Sequence, residues 1–379
     1  MKNKLFAILL LLILNINSNA QHLKTEPITK DSITTITISF VGDLMCHSSQ
    51  FGYAMLKDST YNFKPVYKYV KKYLSNTDFT IGNLETVLGG DSVQYRGYPL
   101  FNTPDEFLTA LKYAGFDLLI TANNHSLDLG EYGLRRTIEQ IKKDGLYYRG
   151  TFLSIYDRDE VKIIEIKGIK LSILSYTYGT NGNLLPKGKR YLINTINLKK
   201  IKNDIIKSRK EKADVVIVYY HFGKEYKRHP TKYQNQVVDS TINLGADIII
   251  GSHTHVIQTG KFFNSGNGFV AYSLGNFISN QRWRYSNGGV ILTIKFIKNY
   301  KINLTSIENV NYIPTYVFKG KVKGKNSFII IPEKYYKTSL VYPFFADSTY
   351  KEMFQSFDDT HAQFKYLDKK LILSMDKMK

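Results

Sequence analysis

Apolar runs of β-branched and aromatic residues recur along the chain, and five of them end at a cluster of Asp, Glu, Asn or His. They are Ile33–His47 (ITTITISFVGDLMCH), Asp78–Glu85 (DFTIGNLE), Asp117–Asp128 (DLLITANNHSLD), Asp214–His221 (DVVIVYYH) and Asp247–His255 (DIIIGSHTH). Near-continuous apolar runs of this length predict strands buried on both faces, as in a sheet covered by helices. Between them, Pro65–Ser75, Pro104–Ala114, Gly130–Asp144 and Thr231–Leu244 space their apolar residues for one helical face. Three of these helices stop at Gly115, Gly145 and Gly245, where a left-handed residue closes a helix. Pro104 behind Asn102-Thr103 marks a helix start. Further strands are predicted at Lys170–Tyr178, Phe269–Phe277 and Val290–Lys298. The alternation is that of an α/β layered domain. In open α/β sheets ligands bind beyond the carboxyl ends of the strands, which is where all five polar clusters fall.

Tyr312–Lys379 lacks the strand–helix alternation and ends in an amphipathic stretch near Gln363–Met375. It reads as a small appendage (314–379) on a main domain spanning 33–313, with residues 21–32 an exposed polar lead-in. At the other end, Met1-Lys2-Asn3-Lys4 precedes an apolar run, Leu5–Leu14, and Ser18-Asn19-Ala20. That order predicts a secretory signal peptide over 1–20, with an uncleaved N-terminal anchor as the alternative. Export would place the protein in the periplasm, at the cell surface or outside the cell. Cys46 is the only cysteine, so an intrachain disulfide is excluded, and it reads as a small buried hydrophobe. The net charge of +20 comes mostly from scattered Lys rather than from a dense basic block. With no nucleic-acid motif beside it, the charge favours an anionic polymer or small acidic substrate over nucleic acid. Neither a Gly-x-Gly-x-x-Gly nor a Walker lysine accompanies the strands, which disfavours those nucleotide folds.

His253-x-His255 is the strongest local signal: at two-residue spacing in an extended segment both imidazoles project to one side. With Gly42-Asp43-Leu44-Met45, Gly82-Asn83-Leu84-Glu85, Asn123-Asn124-His125 and Tyr220-His221-Phe222-Gly223 at other strand ends, the chain resembles the CapA family of capsule and poly-γ-glutamate synthesis proteins, a branch of the calcineurin-like metallophosphoesterase superfamily. Tyr272-Ser273-Leu274-Gly275-Asn276-Phe277 extends the likeness, which spans about Ile33 to Ile313. The resemblance implies a calcineurin-like four-layer α/β/β/α sandwich and a site holding one or two divalent metal ions. It implies Asp43, Glu85, Asn124, His221, His253 and His255 as ligands and His125 as the proton donor. Met45 stands where the superfamily places a histidine, and His47 is the expected substitute. Asn83, Asn123 and Asp128 are expected to orient the ligands, and Arg135, Lys224, Arg228 and Arg282 to bind substrate carboxylates. The function so implied is metal-dependent hydrolysis during synthesis or processing of an anionic envelope polymer. A phosphate-ester metallophosphoesterase and a non-catalytic binding subunit of a membrane synthase complex are the alternatives.

Overall fold

The computed structural model describes residues 32–333 and 345–375, so the expected signal peptide lies outside the described residues. Two sheets form its centre. From edge to edge the first runs β14 (Lys325–Pro332), β13 (Leu304–Val322), β12 (Gly288–Asn299), β1 (Ile33–Leu44), β2 (Phe79–Leu84), β3 (Leu118–Ile120) and β4 (Tyr147–Arg149). The short β11 (Asn276–Ile278) pairs with the end of β1. The second sheet runs β5 (Ile163–Ile166), β6 (Ile169–Thr177), β7 (Val215–His221), β8 (Ile248–Ser252), β10 (Gly268–Leu274) and β9 (Ile257–Phe263). In both sheets the strands that end at the polar clusters are parallel to one another: β1, β2 and β3 in the first, β7 and β8 in the second.

Period-two alternation assigns each strand's side chains to two layers. Ile38, Phe40, Ile81 and Ile120 of the first sheet pack against Ile173, Ile217, Tyr219 and Ile250 of the second. On the outer face of the first sheet, Val41, Leu84 and Leu119 meet Phe107 and Leu111 of α3 (Glu106–Ala114) and Ile141 of α4 (Gly130–Lys143). On the outer face of the second, Val216, Val218 and Ile249 meet Ile201 and Ile205 of α6 (Leu198–Lys210) and Val237 and Val238 of α7 (Lys232–Asn243). The result is the four-layer α/β/β/α sandwich. Gly115 closes α3 at φ 104°, and Gly145 and Gly245 follow α4 and α7 at φ 72° and 99°.

The aspartates that open four of the sequence stretches sit at the edge opposite the polar clusters and hold neighbouring strands in register. Asp78, Asp117 and Asp214 each accept a 2.8 Å hydrogen bond from a backbone N–H on the adjacent strand, of Thr37, Thr80 and Lys170 respectively. Asp247 does the same for Val216 at 2.7 Å. The two polar ends of each strand thus have different tasks, the first structural and the second chemical.

The chain after residue 313 continues the first sheet, since β13 crosses that point and β14 pairs with it. The terminal helix α8 (Asp347–Met375) starts well before Gln363, because Met353, Phe357, Phe364 and Leu367 form one buried stripe. Met353 and Phe357 cover Phe318, Ile329 and Ile331 of the edge strands, while Phe364 and Leu367 enter the core between the sheets.

Candidate metal centre

β1 reaches the site through Gly42, where a Cβ would lie 1.9 Å from the Gly275 carbonyl oxygen, so only glycine allows the two strands to cross. Asp43 N–H then donates to Gly275 O at 2.9 Å, which fixes the carboxylate at the strand end. β2 supplies Asn83 and, one residue past its end, Glu85; β7 ends on His221. The expected extended geometry of His253-Thr254-His255 is replaced by a left-handed turn, with φ 95° at His253 and 58° at His255. Both imidazoles nevertheless face one cluster, because the chain coils around the ligands instead of passing them in a straight strand. Non-glycine residues at positive φ are strained, and such strain persists where surrounding structure over-determines it. Here the Tyr226 N–H, 2.8 Å from Thr254 O, clamps the turn.

Two sets of ligand atoms, each mutually within 4.8 Å, share one residue: Glu85 with His221 and His253, and Glu85 with Asp43 and His255. Glu85 therefore stands between two half-sites, as a bridging carboxylate would. His255 Nδ1 lies 3.0 Å from Asp43 Oδ2, and His221 Nε2 lies 2.8 Å from Asn124 Oδ1. Asn83 is a hub among them, with Nδ2 at 2.8 Å from Asp43 Oδ1, 3.3 Å from Glu85 Oε2 and 3.2 Å from His221 Nδ1. Its Oδ1 in turn accepts from Asn123 Nδ2 at 3.1 Å.

The donor set fits a cation. Glu85 Oε1 and His253 Nδ1 are buried with no hydrogen-bond partner among the described residues, an arrangement that is costly unless something else satisfies them. Burial, followed by the neighbouring Asp43, holds the Glu85 carboxyl well above the usual carboxylate range. At Asp43 burial alone would raise the carboxyl, but the hydrogen bond and charge of His255 together with the bonds to Asn83 and Glu85 hold it below its ordinary range. Burial drives His221 well below the usual imidazole range and His253 down to about 3, so both rings are neutral and able to ligate. Cys46 is buried with its thiol pushed far up by desolvation and so remains an inert hydrophobe.

The other sequence-predicted residues divide. His125 Nδ1 is 2.7 Å from Asp128 Oδ2, which also accepts from Phe101 N–H at 2.7 Å. That pairing leaves His125 Nε2 as the nitrogen available for proton transfer. His47 is next to the site but outside both ligand sets: its Nδ1 lies 3.2 Å from Gln50 Oε1 and takes the Asn280 N–H at 3.3 Å. The expected arginines have structural partners instead of facing the cleft. Arg135 binds Glu131 at 2.7 Å, Arg228 binds the backbone and carboxylate of Asp359, and Arg282 donates to Val317 O at 2.7 Å. Lys224 is solvent-exposed on the loop after β7.

Three contacts were not anticipated. Asn276 Oδ1 lies 3.2 Å from His255 Nδ1. The Tyr178 ring lies 4.5 Å from that of His253, and the Tyr226 ring 5.9 Å from that of His255. The available signal was position: Tyr178 directly follows β6 and Asn276 lies just past β10, near the strand ends where the other site residues gather.

Residues 37–281 match the family described as "Bacterial capsule synthesis protein PGA_cap". The chain is 28% identical over 301 residues to "Capsule biosynthesis protein CapA" of Bacillus anthracis, covering 77% of this chain and 70% of that protein. It is 27% identical over 316 residues to "PGA biosynthesis protein CapA" of Bacillus subtilis (strain 168), covering 80% and 79%. A crystal structure described as a novel phosphatase from Mycoplasma pneumoniae aligns over 81% of this chain and 98% of its own, with 16% identity and a TM-score of 0.45.

Proposed function

This chain belongs to the bacterial capsule synthesis protein family PGA_cap, and on that premise we propose that it is an exported, metal-dependent hydrolase acting on an anionic polymer of the cell envelope. Poly-γ-glutamate is the first candidate, from the resemblance to the CapA family and the likeness to the PGA biosynthesis protein of Bacillus subtilis. The observation that carries the reading is Glu85, a buried carboxylate with an unpartnered oxygen, shared between two sets of ligand atoms. Asp43, Glu85, His221, His253 and His255 would hold one or two divalent ions, with Asn124 contributing its amide oxygen. A bound ion would supply positive charge that lowers the pKa of a nearby water and polarises the attacked group.

The chain's own residues do the rest. Asn83 donates hydrogen bonds to the Asp43 and Glu85 carboxylates, and Asn123 holds Asn83 by donating to its Oδ1, so that the ligand geometry is set before anything binds. Asp128 holds His125 Nδ1 and directs Nε2 to protonate a leaving group. Neutral His221 and His253 keep the pocket free of competing positive charge.

The test is metal analysis of the purified protein by mass spectrometry, coupled to hydrolysis assays on poly-γ-glutamate and on a generic phosphodiester. His253→Ala should lower bound metal and abolish hydrolysis while leaving the fold intact. Cleavage of the diester alone would favour a phosphoesterase. Absence of metal under every loading condition would end the hydrolase reading and leave a binding subunit of a membrane synthase, a role for which the neutral Asn83 at the hub is suited.

A further inference from the structure

A chain of carboxylates needs cations at the cleft, and Arg135, Arg228 and Arg282 are already committed to Glu131, Asp359 and the Val317 carbonyl. Lys319 differs from them. It is half-buried on β13, and its Nζ donates at 2.9 Å to an uncharged acceptor, Asn280 Oδ1. Its Nζ also lies 5.9 Å from the ring centroid of Tyr53 and 5.6 Å from that of Phe328, and no carboxylate pairs with it among the described residues. Lys298 and Lys189, by contrast, each hold a carboxylate at 2.7 Å, of Asp214 and Glu131. An ammonium partly withdrawn from water without a counter-charge is costly unless an anion arrives to satisfy it. We propose that Lys319 is a substrate-binding residue of the metal centre, and that its ligand is a carboxylate of the polymer flanking the group under attack.

A chain of contacts sets Lys319 beside that centre. Asn280 N–H donates to His47 Nδ1 at 3.3 Å, so one residue holds both side chains. The His47 ring lies 5.2 Å from that of Phe101, which lies 4.7 Å from His125. Burial is the largest effect on His47, and the charges of His255, His125 and Lys319 all reach it as well. The residue after Asn280 ties the same loop to the ligands. Gln281 Oε1 accepts from Asn276 Nδ2 at 2.9 Å, and Asn276 Oδ1 lies 3.2 Å from His255 Nδ1. Lys319 is thus fixed relative to the ligand set, as a group that positions a substrate must be.

The same loop reaches a second source of positive charge. Gln281 Nε2 donates to the Tyr226 hydroxyl at 3.2 Å, on the loop that carries exposed Lys224 and Lys227. Exposed ammonium groups attract an acidic chain from solution, whereas Lys319 is held in one place and can set the register of that chain. Lys319 stands beyond residues 37–281, so this contact is carried by the part of the chain outside the family match.

The proposal rests on the reading of the substrate as a carboxylate-bearing polymer, poly-γ-glutamate first, and its test is a binding measurement. Calorimetry is run on the metal-loaded full chain carrying His125→Ala, which slows cleavage during the titration. The ligands are a hexamer of γ-linked glutamate, the same hexamer with its α-carboxylates converted to amides, and a hexamer of glycerol phosphate. Adding Lys319→Met should weaken the γ-glutamate hexamer about 10- to 100-fold at unchanged metal content, the loss of one charge-assisted hydrogen bond. The amide hexamer should bind more weakly to the parent protein and lose nothing further. Asn280→Asp should also weaken the γ-glutamate hexamer, because a carboxylate in place of the amide would pair with the ammonium while the lysine stays. Undiminished affinity for the γ-glutamate hexamer in either variant overturns the proposal, as does an equal loss of the acid and amide hexamers. A larger loss for the glycerol phosphate hexamer than for γ-glutamate overturns the carboxylate assignment. No binding of γ-glutamate to the parent protein overturns it too, and metal content and polymer cleavage with His125 intact then judge the hydrolase reading separately.

Discussion

Glu85→Gln separates the cost of burying a carboxylate from its use as a ligand. In the metal-free protein, burial and then Asp43 raise the Glu85 carboxyl well above its ordinary range, which favours its protonated form. Gln has the same shape, can donate to Asp43 as the protonated acid does, and has no proton to lose. The metal-free variant should therefore match wild-type stability to within about 1 kcal/mol. Cation binding is where the two diverge, because a ligating carboxylate must first give up its proton. At pH values where Glu85 is protonated in the metal-free protein, wild type should release one more proton per protein molecule than Glu85→Gln, because both half-sites share this one carboxyl. Over pH values below the Glu85 pKa its affinity should accordingly rise about tenfold more per pH unit, or about 1.4 kcal/mol. Loss of the shared ligand should also weaken binding at least about 100-fold, since loss of even a supporting partner costs 10–100-fold. The assay is calorimetric titration with Mn²⁺ or Zn²⁺ in buffers of different ionisation enthalpy, which counts protons directly. Equal proton release from the two proteins, or wild-type affinity in the variant, would refute the assignment of Glu85 as the bridging ligand.

His125→Ala should retain bound metal yet slow turnover by about 10²–10⁴-fold, the usual contribution of a positioned acid, and Asp128→Asn should reproduce part of that loss. Unchanged turnover in both variants would remove the pair from the chemistry. His47 is pushed down to about 4 by burial, below the ordinary unfolded value of about 6.5. Its neutral form therefore favours the fold above about pH 6.5, and that stability is lost as pH falls through the window toward 4. The denaturant midpoint of metal-free wild type relative to His47→Gln should drop between about pH 7 and 5; a flat difference would contradict the assignment. Arg158→Met should destabilise by about 3–5 kcal/mol in chemical denaturation, because it leaves Asp204 buried without the guanidinium 2.7 Å away. A loss under about 1 kcal/mol would show that Tyr176, whose hydroxyl donates to the same carboxylate at 2.6 Å, suffices.

Much of this architecture is legible along the chain. Strands buried on both faces must be apolar at nearly every position, so β1, β2, β7 and β8 stand out, and the C-capping glycines close α3, α4 and α7 where the periodicity ends. Elements with one wet face were harder to read. α6 buries only Ile201, Asp204, Ile205 and Ser208 in a Lys-rich stretch, and the edge strands β4, β5 and β9 lack a continuous apolar run. The site residues were legible as strand-end chemistry, because parallel strands deliver their last residues to one edge whatever lies between them in sequence. Their mutual roles were not. That Glu85 belongs to both ligand sets, that Asn83 bonds three of the ligands, and that His253 and His255 meet through a left-handed turn all depend on distances across two sheets. The arginines show the same limit. A guanidinium reads as a free cation until the fold brings a carboxylate to it, and Asp359 reaches Arg228 only because α8 returns from the end of the chain to the loop after β7. Local periodicity therefore determined which strands form and which residue types reach the site, whereas the long-range packing of α8 and the two sheets decided which of those residues share a ligand and which are already paired.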